Sequence, residues 1–313
     1  MNLKSKISTK VGQTCRSAPK SWRRGNAALP SCIAAFTLVE ILVVVVLMSL
    51  IVLALMAVFS STQAAFRASI TQTDVLEGGR AAMGMLKSDL EPMTPSFLNA
   101  SNFAPNFYAA VSNSFTQPLL TGSSASRANV MEDVFFITRE NQTWKGVGYF
   151  VRSNLSVSGM VGTPGVLYRF EMNNSVAQFA RNPGAMFVTY DQARMGTMGV
   201  NPTNGVSRIL DGVMDFRMRA FDTNGFWVTT NRVNIVATNT AFAEVAWYGF
   251  YSNALPASVE VELGVLEDRA LQRVESLGGS FQVQTNYLAQ QAGKVHLFRQ
   301  RIPIRNVDPS AYQ

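Results

Sequence analysis

Cysteine occurs at only two positions, Cys15 and Cys32, and both precede the long apolar run of the chain. From Phe36 onward there is no thiol, so a disulfide, a thiolate metal ligand and a cysteine nucleophile are all excluded there. Histidine occurs once, at His296. That removes any His-pair metal site and any chemistry that needs two imidazoles. No G-x-S-x-G elbow and no metal-spaced cluster is present. Charged residues make up only 15% of the chain, which together with its many Ser, Asn and Thr fits an extracytoplasmic protein.

Acidic residues are missing from the start of the chain, while Lys4, Lys6, Lys10, Arg16, Lys20, Arg23 and Arg24 all fall there. The net charge of +7 is therefore local. Setting those seven aside leaves 20 of the 27 basic residues against 20 acidic ones. A nucleic-acid binder needs a basic patch on its folded domain, and the rest of this chain is electrically balanced. Nucleic acid is not an expected partner.

What the sequence does have is one apolar stretch, Ala34 to Phe59, which reads A-A-F-T-L-V-E-I-L-V-V-V-V-L-M-S-L-I-V-L-A-L-M-A-V-F. Residues 41 to 59 contain nothing more polar than Ser49. As a helix they would span about 28 Å, close to the ~30 Å hydrocarbon core of a bilayer. The basic residues before it predict a cytoplasmic N-terminus and an external remainder. An ordinary secretory signal would have an apolar core of about 7 to 15 residues and a small-residue site after it. This run is longer and has a carboxylate, Glu40, at its start. At a helix N-terminus such a carboxylate is favoured by the helix dipole, but ionisable groups in membrane helices are costly and usually functional.

Beyond Phe59 the helical pattern continues with a different character. Leu76, Gly79, Met83, Leu86 and Leu90 fall at spacings of three and four and define one face, with Arg80, Lys87 and Asp89 off it. Gly78 and Gly79 would loosen this helix, and Pro92 and Pro95 end it. Residues 96 to 130 are expected to be a long surface loop, with room for a short helix. From residue 131 the period becomes two, which predicts strands at 134–139, 146–152, 166–171, 213–221, 259–265 and 295–304. Residues 172 to 207 read as polar connection with a short strand at Met186 to Thr189. Asp222-Thr223-Asn224-Gly225 is expected to be a hairpin turn, since a calcium loop needs further ligands and a closing Glu. Glu260 and Glu262 alternate with apolar residues and are expected on the solvated face of a sheet. Glu267 to Ser276 reads as a short helix, and His296 as an ordinary strand residue.

The order Ala35-Phe36-Thr37-Leu38-x-Glu40 directly before an apolar helix resembles the class III signal of type IV prepilins and type II secretion pseudopilins. The family usually has Gly where this chain has Ala35. The resemblance implies cleavage between Ala35 and Phe36 by a prepilin peptidase that also reads Thr37 and Leu38, and N-methylation of Phe36. It further implies that Glu40 pairs with the methylated amine of a neighbouring subunit. Five later segments are similar, in order, to the J-type minor pseudopilin. They are Met83 to Leu90 (M-G-M-L-K-S-D-L), Leu167 to Arg169, Ile209 to Trp227, Leu255 to Leu263 and His296 to Asn306.

The implied fold is α+β and pilin-like. Residues 1–35 form a leader that is removed, and 36–91 form a long N-terminal helix that spans the membrane at about 38–60. Residues 92–313 form an antiparallel β-rich periplasmic head. The implied function is that of a structural subunit at or near the tip of a type II secretion pseudopilus. Its implied partners are prepilin peptidase, other minor and major pseudopilins, the inner-membrane assembly platform and membrane lipid, with no cofactor or metal and no catalytic residue. The alternatives are a minor type IV pilin serving adhesion, pilus assembly or DNA uptake, and a membrane-anchored periplasmic enzyme or binding protein.

Overall fold

The computed structural model describes residues 37–98, 104–118, 126–153, 164–175, 184–196, 205–239, 245–277 and 281–312. The chain divides into two units, one up to Ser60 and one from Ser61 to Gln313. Helix α1, Leu38–Leu90, runs through 53 residues and belongs to both by sequence. The class is α+β, as expected.

In the second unit a nine-stranded sheet is built from β1 Phe107–Pro118, β2 Ser126–Glu140, β3 Thr143–Ser153, β4 Gly165–Ser175, β5 Val206–Phe221, β6 Ile235–Asn239, β7 Val245–Phe250, β8 Ser258–Leu266 and β9 Val295–Pro303. Their spatial order is β6-β7-β1-β2-β3-β4-β5-β8-β9, and every neighbouring pair is antiparallel. One parallel bridge, Met131 to Phe216, also joins β2 to β5. Among the described residues the unit also has three shorter α-helices: α2 Gly184–Gly196, α3 Asp268–Ser276 and α4 Phe281–Gln290.

The sheet is buried on both faces where helices cover it. On one face, Val75, Ala82, Met83, Leu86 and Leu90 of α1 join Val134 and Phe136 of β2, Leu167 of β4 and Phe216 and Met218 of β5 in the main core. Fully burying a side chain of this size is worth about 1.5–3 kcal/mol, so this stripe holds the polar half of α1 far more firmly than helix propensity does. On the opposite face, Met186, Tyr190 and Ala193 of α2 cover Phe135, Ile137, Phe150 and Phe170. Residues 130–137 of β2 are consequently buried without a break, as strands covered on both sides are.

Several expectations are corrected. Residues 96–130 are not a loop throughout: 96–98 and 104–106 have no regular element, but β1 and the start of β2 lie there, paired to each other from Phe107 to Pro118, and 99–103 and 119–125 lie outside the described residues. Met186 to Thr189 is part of helix α2, because positions 186, 190 and 193 then fall on one face over the aromatic sheet. The alternation of 213–221 would set Met214 on one face with Phe216, Met218 and Ala220, and Met214 departs from it. A bulge between Val213 and Asp215 sends Val213 into the main core and Met214 under α3 and α4. The helix also runs through Gly78 and Gly79 without a break. The reason for Gly79 is close packing: a Cβ there would lie 2.2 Å from the ring of Phe298 on β9.

Candidate functional site

Of the residues singled out by sequence, Ala35 and Phe36 lie outside the described residues, and Leu38 and Glu40 lie in the first turn of α1. Thr37 is the last residue before the helix. Its Oγ1 accepts the Glu40 backbone N–H at 3.3 Å, and its carbonyl accepts those of Glu40 and Ile41 at 3.0 and 3.2 Å. This is an N-cap with a glutamate three positions on, the T-x-x-E spacing of a capping box. It fixes Leu38 as the first helical residue and places the Glu40 carboxylate in the first turn, where the dipole favours negative charge. Glu40 is exposed, and its carboxylate makes no ion pair among the described residues.

From Leu38 to Phe59 the large apolar side chains are all exposed, Leu38 at 82% and the least exposed, Val43, at 48%. They leave no polar side of the helix for water. The two hydroxyls in and next to this run are satisfied locally: Ser49 donates to the Val46 carbonyl at 2.8 Å and Ser60 to that of Ala57 at 2.9 Å. Helix α1 is long and apolar enough to cross a membrane, since those 22 residues span about 33 Å.

Polar side chains tie the second unit together. Arg169 of β4 grips Asp89 of α1 through Nε at 2.7 Å and Nη2 at 3.1 Å, while the Tyr149 hydroxyl donates to the same carboxylate at 2.6 Å. Burial, and then the Asp89 charge, hold the Tyr149 phenol far above its ordinary range. Asp89 thus faces the sheet instead of lying off the packed stripe. On the other face, Asp133 accepts from Arg152 at 2.7 and 2.9 Å and from Arg194 of α2 at 2.7 Å.

Between β2 and β5, carboxylates take the place of ladder carbonyls. Asp215 accepts the Val130 N–H at 2.7 Å, and Glu132 accepts that of Met218 at 2.7 Å. Glu260 and Glu262 are not solvated: their side chains are 13% and 12% exposed and lie among Arg127, Arg219 and Arg299. Burial works against the charge of Glu260, and the hydrogen bonds and charges of Arg299 and Arg219 outweigh it and hold the group below its ordinary range. Glu171 is held low in the same way by Arg169 and Lys145.

The Asp222–Gly225 segment is a turn. Asp222 Oδ1 accepts the N–H groups of Asn224 and Phe226, and Gly225 has φ +82°. His296 Nε2 lies 3.2 Å from Glu267 Oε1, a partner that spacing along the sequence did not suggest. A cleft of about 260 Å³ opens between Asp74 and Val75 of α1, Arg208 to Asp211 of β5, and Asp268 and Leu271 of α3. Arg208 and Asp211 pair within it at 2.6 Å. No group of three or more His, Cys, Asp or Glu with metal-holding geometry occurs among the described residues. Comparison with protein-family models, with curated proteins and with solved structures finds no match.

Proposed function

We propose that this chain is a filament subunit of the pilin-like class, most like a J-type minor pseudopilin of type II secretion. The observation that carries the reading is the start of α1. A capped first turn bearing a lone glutamate opens an apolar segment, interrupted only by Ser49, whose large side chains are all exposed and which is long enough to span a bilayer. In this reading the segment stores the subunit in the inner membrane and then packs among like helices in a filament core. Cleavage before Phe36 would create an amine two residues ahead of the helix. Glu40 supplies the compensating charge to a neighbour's amine, an attraction that gains strength in a low-dielectric core. The continuation of the same helix into a buried stripe on an antiparallel sheet supports a pilin-like arrangement.

The test is a Glu40→Ala chain expressed with the peptidase and partner pseudopilins. It should be cleaved as the parent is, yet be recovered in sheared filaments at a small fraction of the parent amount. Incorporation equal to the parent would contradict the role given to Glu40.

A further inference from the structure

The sheet ends at β9, which pairs with β8 and with no other strand among the described residues. No described strand pairs with its outer edge, and an edge strand carries a row of unpaired backbone donors and acceptors there. Two registers run across the last three strands to this edge. One is Arg217, Glu262, Arg299, and the other is Arg219, Glu260, Arg301. In both, the charge alternates from strand to strand and the row stops on an arginine. The inner carboxylates are already matched: Glu260 accepts from Arg299 at 2.7 Å and from Arg219 at 3.3 Å, and Glu262 accepts from Arg127 at 3.2 Å.

The outer arginines are not saturated. The Arg299 side chain is 56% exposed. Arg301 donates Nε to Ser258 Oγ at 2.7 Å, lies over the ring of Phe221 at 3.9 Å, and makes no ion pair among the described residues. Leu297, two residues before Arg299 and on the same face, is 48% exposed.

We propose that the outer edge of β9 accepts an extended acidic strand from another polypeptide, which continues the sheet as its tenth strand. Its backbone would pair with β9, two carboxylates at alternate positions would meet Arg301 and Arg299, and an apolar residue two positions further would cover Leu297. Antiparallel to β9, the segment reads acid-x-acid-x-apolar. The inner neighbour of β9 already uses this chemistry, with Glu260 opposite Arg301 and Glu262 opposite Arg299. A second copy of β9 is disfavoured as occupant. Antiparallel pairing about Gln300 would set Arg299 against Arg301 twice, and like charges directly opposite are destabilising. This proposal stands on the sheet edge alone and does not require the filament reading.

The experiment uses the full chain in detergent and a fluorescent peptide with the residues of β8, Ser258 to Leu266, carrying Gly264→Leu so that it reads acid-x-acid-x-apolar. Fluorescence anisotropy should report saturable binding that weakens with salt. Replacing each Glu of the peptide by Gln should cost roughly fivefold in Kd, the scale of a partly exposed ion pair. Arg299→Gln and Arg301→Gln in the chain should give similar losses. A peptide N-methylated at alternate backbone positions should not bind. Because the peptide changes leave the protein untouched, misfolding cannot imitate the result. Absence of binding, or equal binding of the Glu, Gln and N-methylated peptides, would overturn the proposal, and the second outcome is what adsorption to the apolar helix would give.

Discussion

At the residue scale the chain places single side chains where two elements meet. Asp89 is the clearest case, since Arg169 and Tyr149 both converge on it. Asp89→Asn leaves the Arg169 guanidinium, 15% exposed, with only Glu171 of its two carboxylates. Removing one partner of a buried pair is costly because it leaves the other charge unmatched. We expect a loss of about 2 kcal/mol, or roughly 4–8 °C in the thermal melt of a domain this size. A melt unchanged within a degree or two would show that the triad does not tie α1 to the sheet. Gly79 makes a steric counterpart. Gly79→Ala should destabilise by about 1–2 kcal/mol through overpacking against Phe298. In a Phe298→Ala background the same change should be nearly neutral, and simple additivity of the two effects would contradict the contact.

At the scale of elements, pairing and burial decide what local pattern leaves open. Strand 259–265, with clean period-two alternation, and strand 134–139, a short apolar run, were legible in the sequence, as was most of the face of α1 that packs, although Val75 and Ala82 enter the core and Leu76 does not. β1 was not, because F-Y-A-A-V-S-N-S-F-T-Q-P alternates poorly and owes its state to β2 on one side and β7 on the other. α2 was misread because Met-Phe-Val-Thr resembles a strand, and only the aromatic floor beneath it selects the helix. The alternation of Glu260 and Glu262 was read correctly and their environment was not, since the arginines that enclose them come from strands up to 135 residues away in sequence.

Two outcomes follow for elements. Asp133→Asn removes the shared partner of Arg152 and Arg194, so hydrogen exchange in α2 should rise at least about tenfold while that of residues 82–90 stays unchanged. Equal change in both would show a global rather than a local role. The pH response has a definite sign as well. Glu171 and Glu260 are held below their ordinary value of 4.5 in the folded chain, so their stabilising effect is complete above that value. It is lost as pH falls through their lower folded values. The melting temperature should therefore fall on acidification below about pH 4.5, and this fall should shrink in a chain carrying Glu171→Gln and Glu260→Gln. An undiminished fall would assign the acid response to other groups.

At the scale of the whole molecule, an apolar helix start with an isolated glutamate and a helix-covered antiparallel sheet lie in one chain. The proposed signal at the head of the helix is a local order of residue types and so is read from sequence alone, whereas the sheet edge and its unfinished rows of charge exist only once β5, β8 and β9 are side by side. Of the proposed processing site, Thr37, Leu38 and Glu40 open α1, and the chemistry expected of Phe36 requires a cut just before it. The most direct measurement is the intact mass and N-terminal residue of the protein recovered from membranes of cells with and without prepilin peptidase. An N-methylated Phe36 that appears only when the peptidase is present is the expected result. The same uncut N-terminus in both strains, or a cut beyond Phe59, would contradict it.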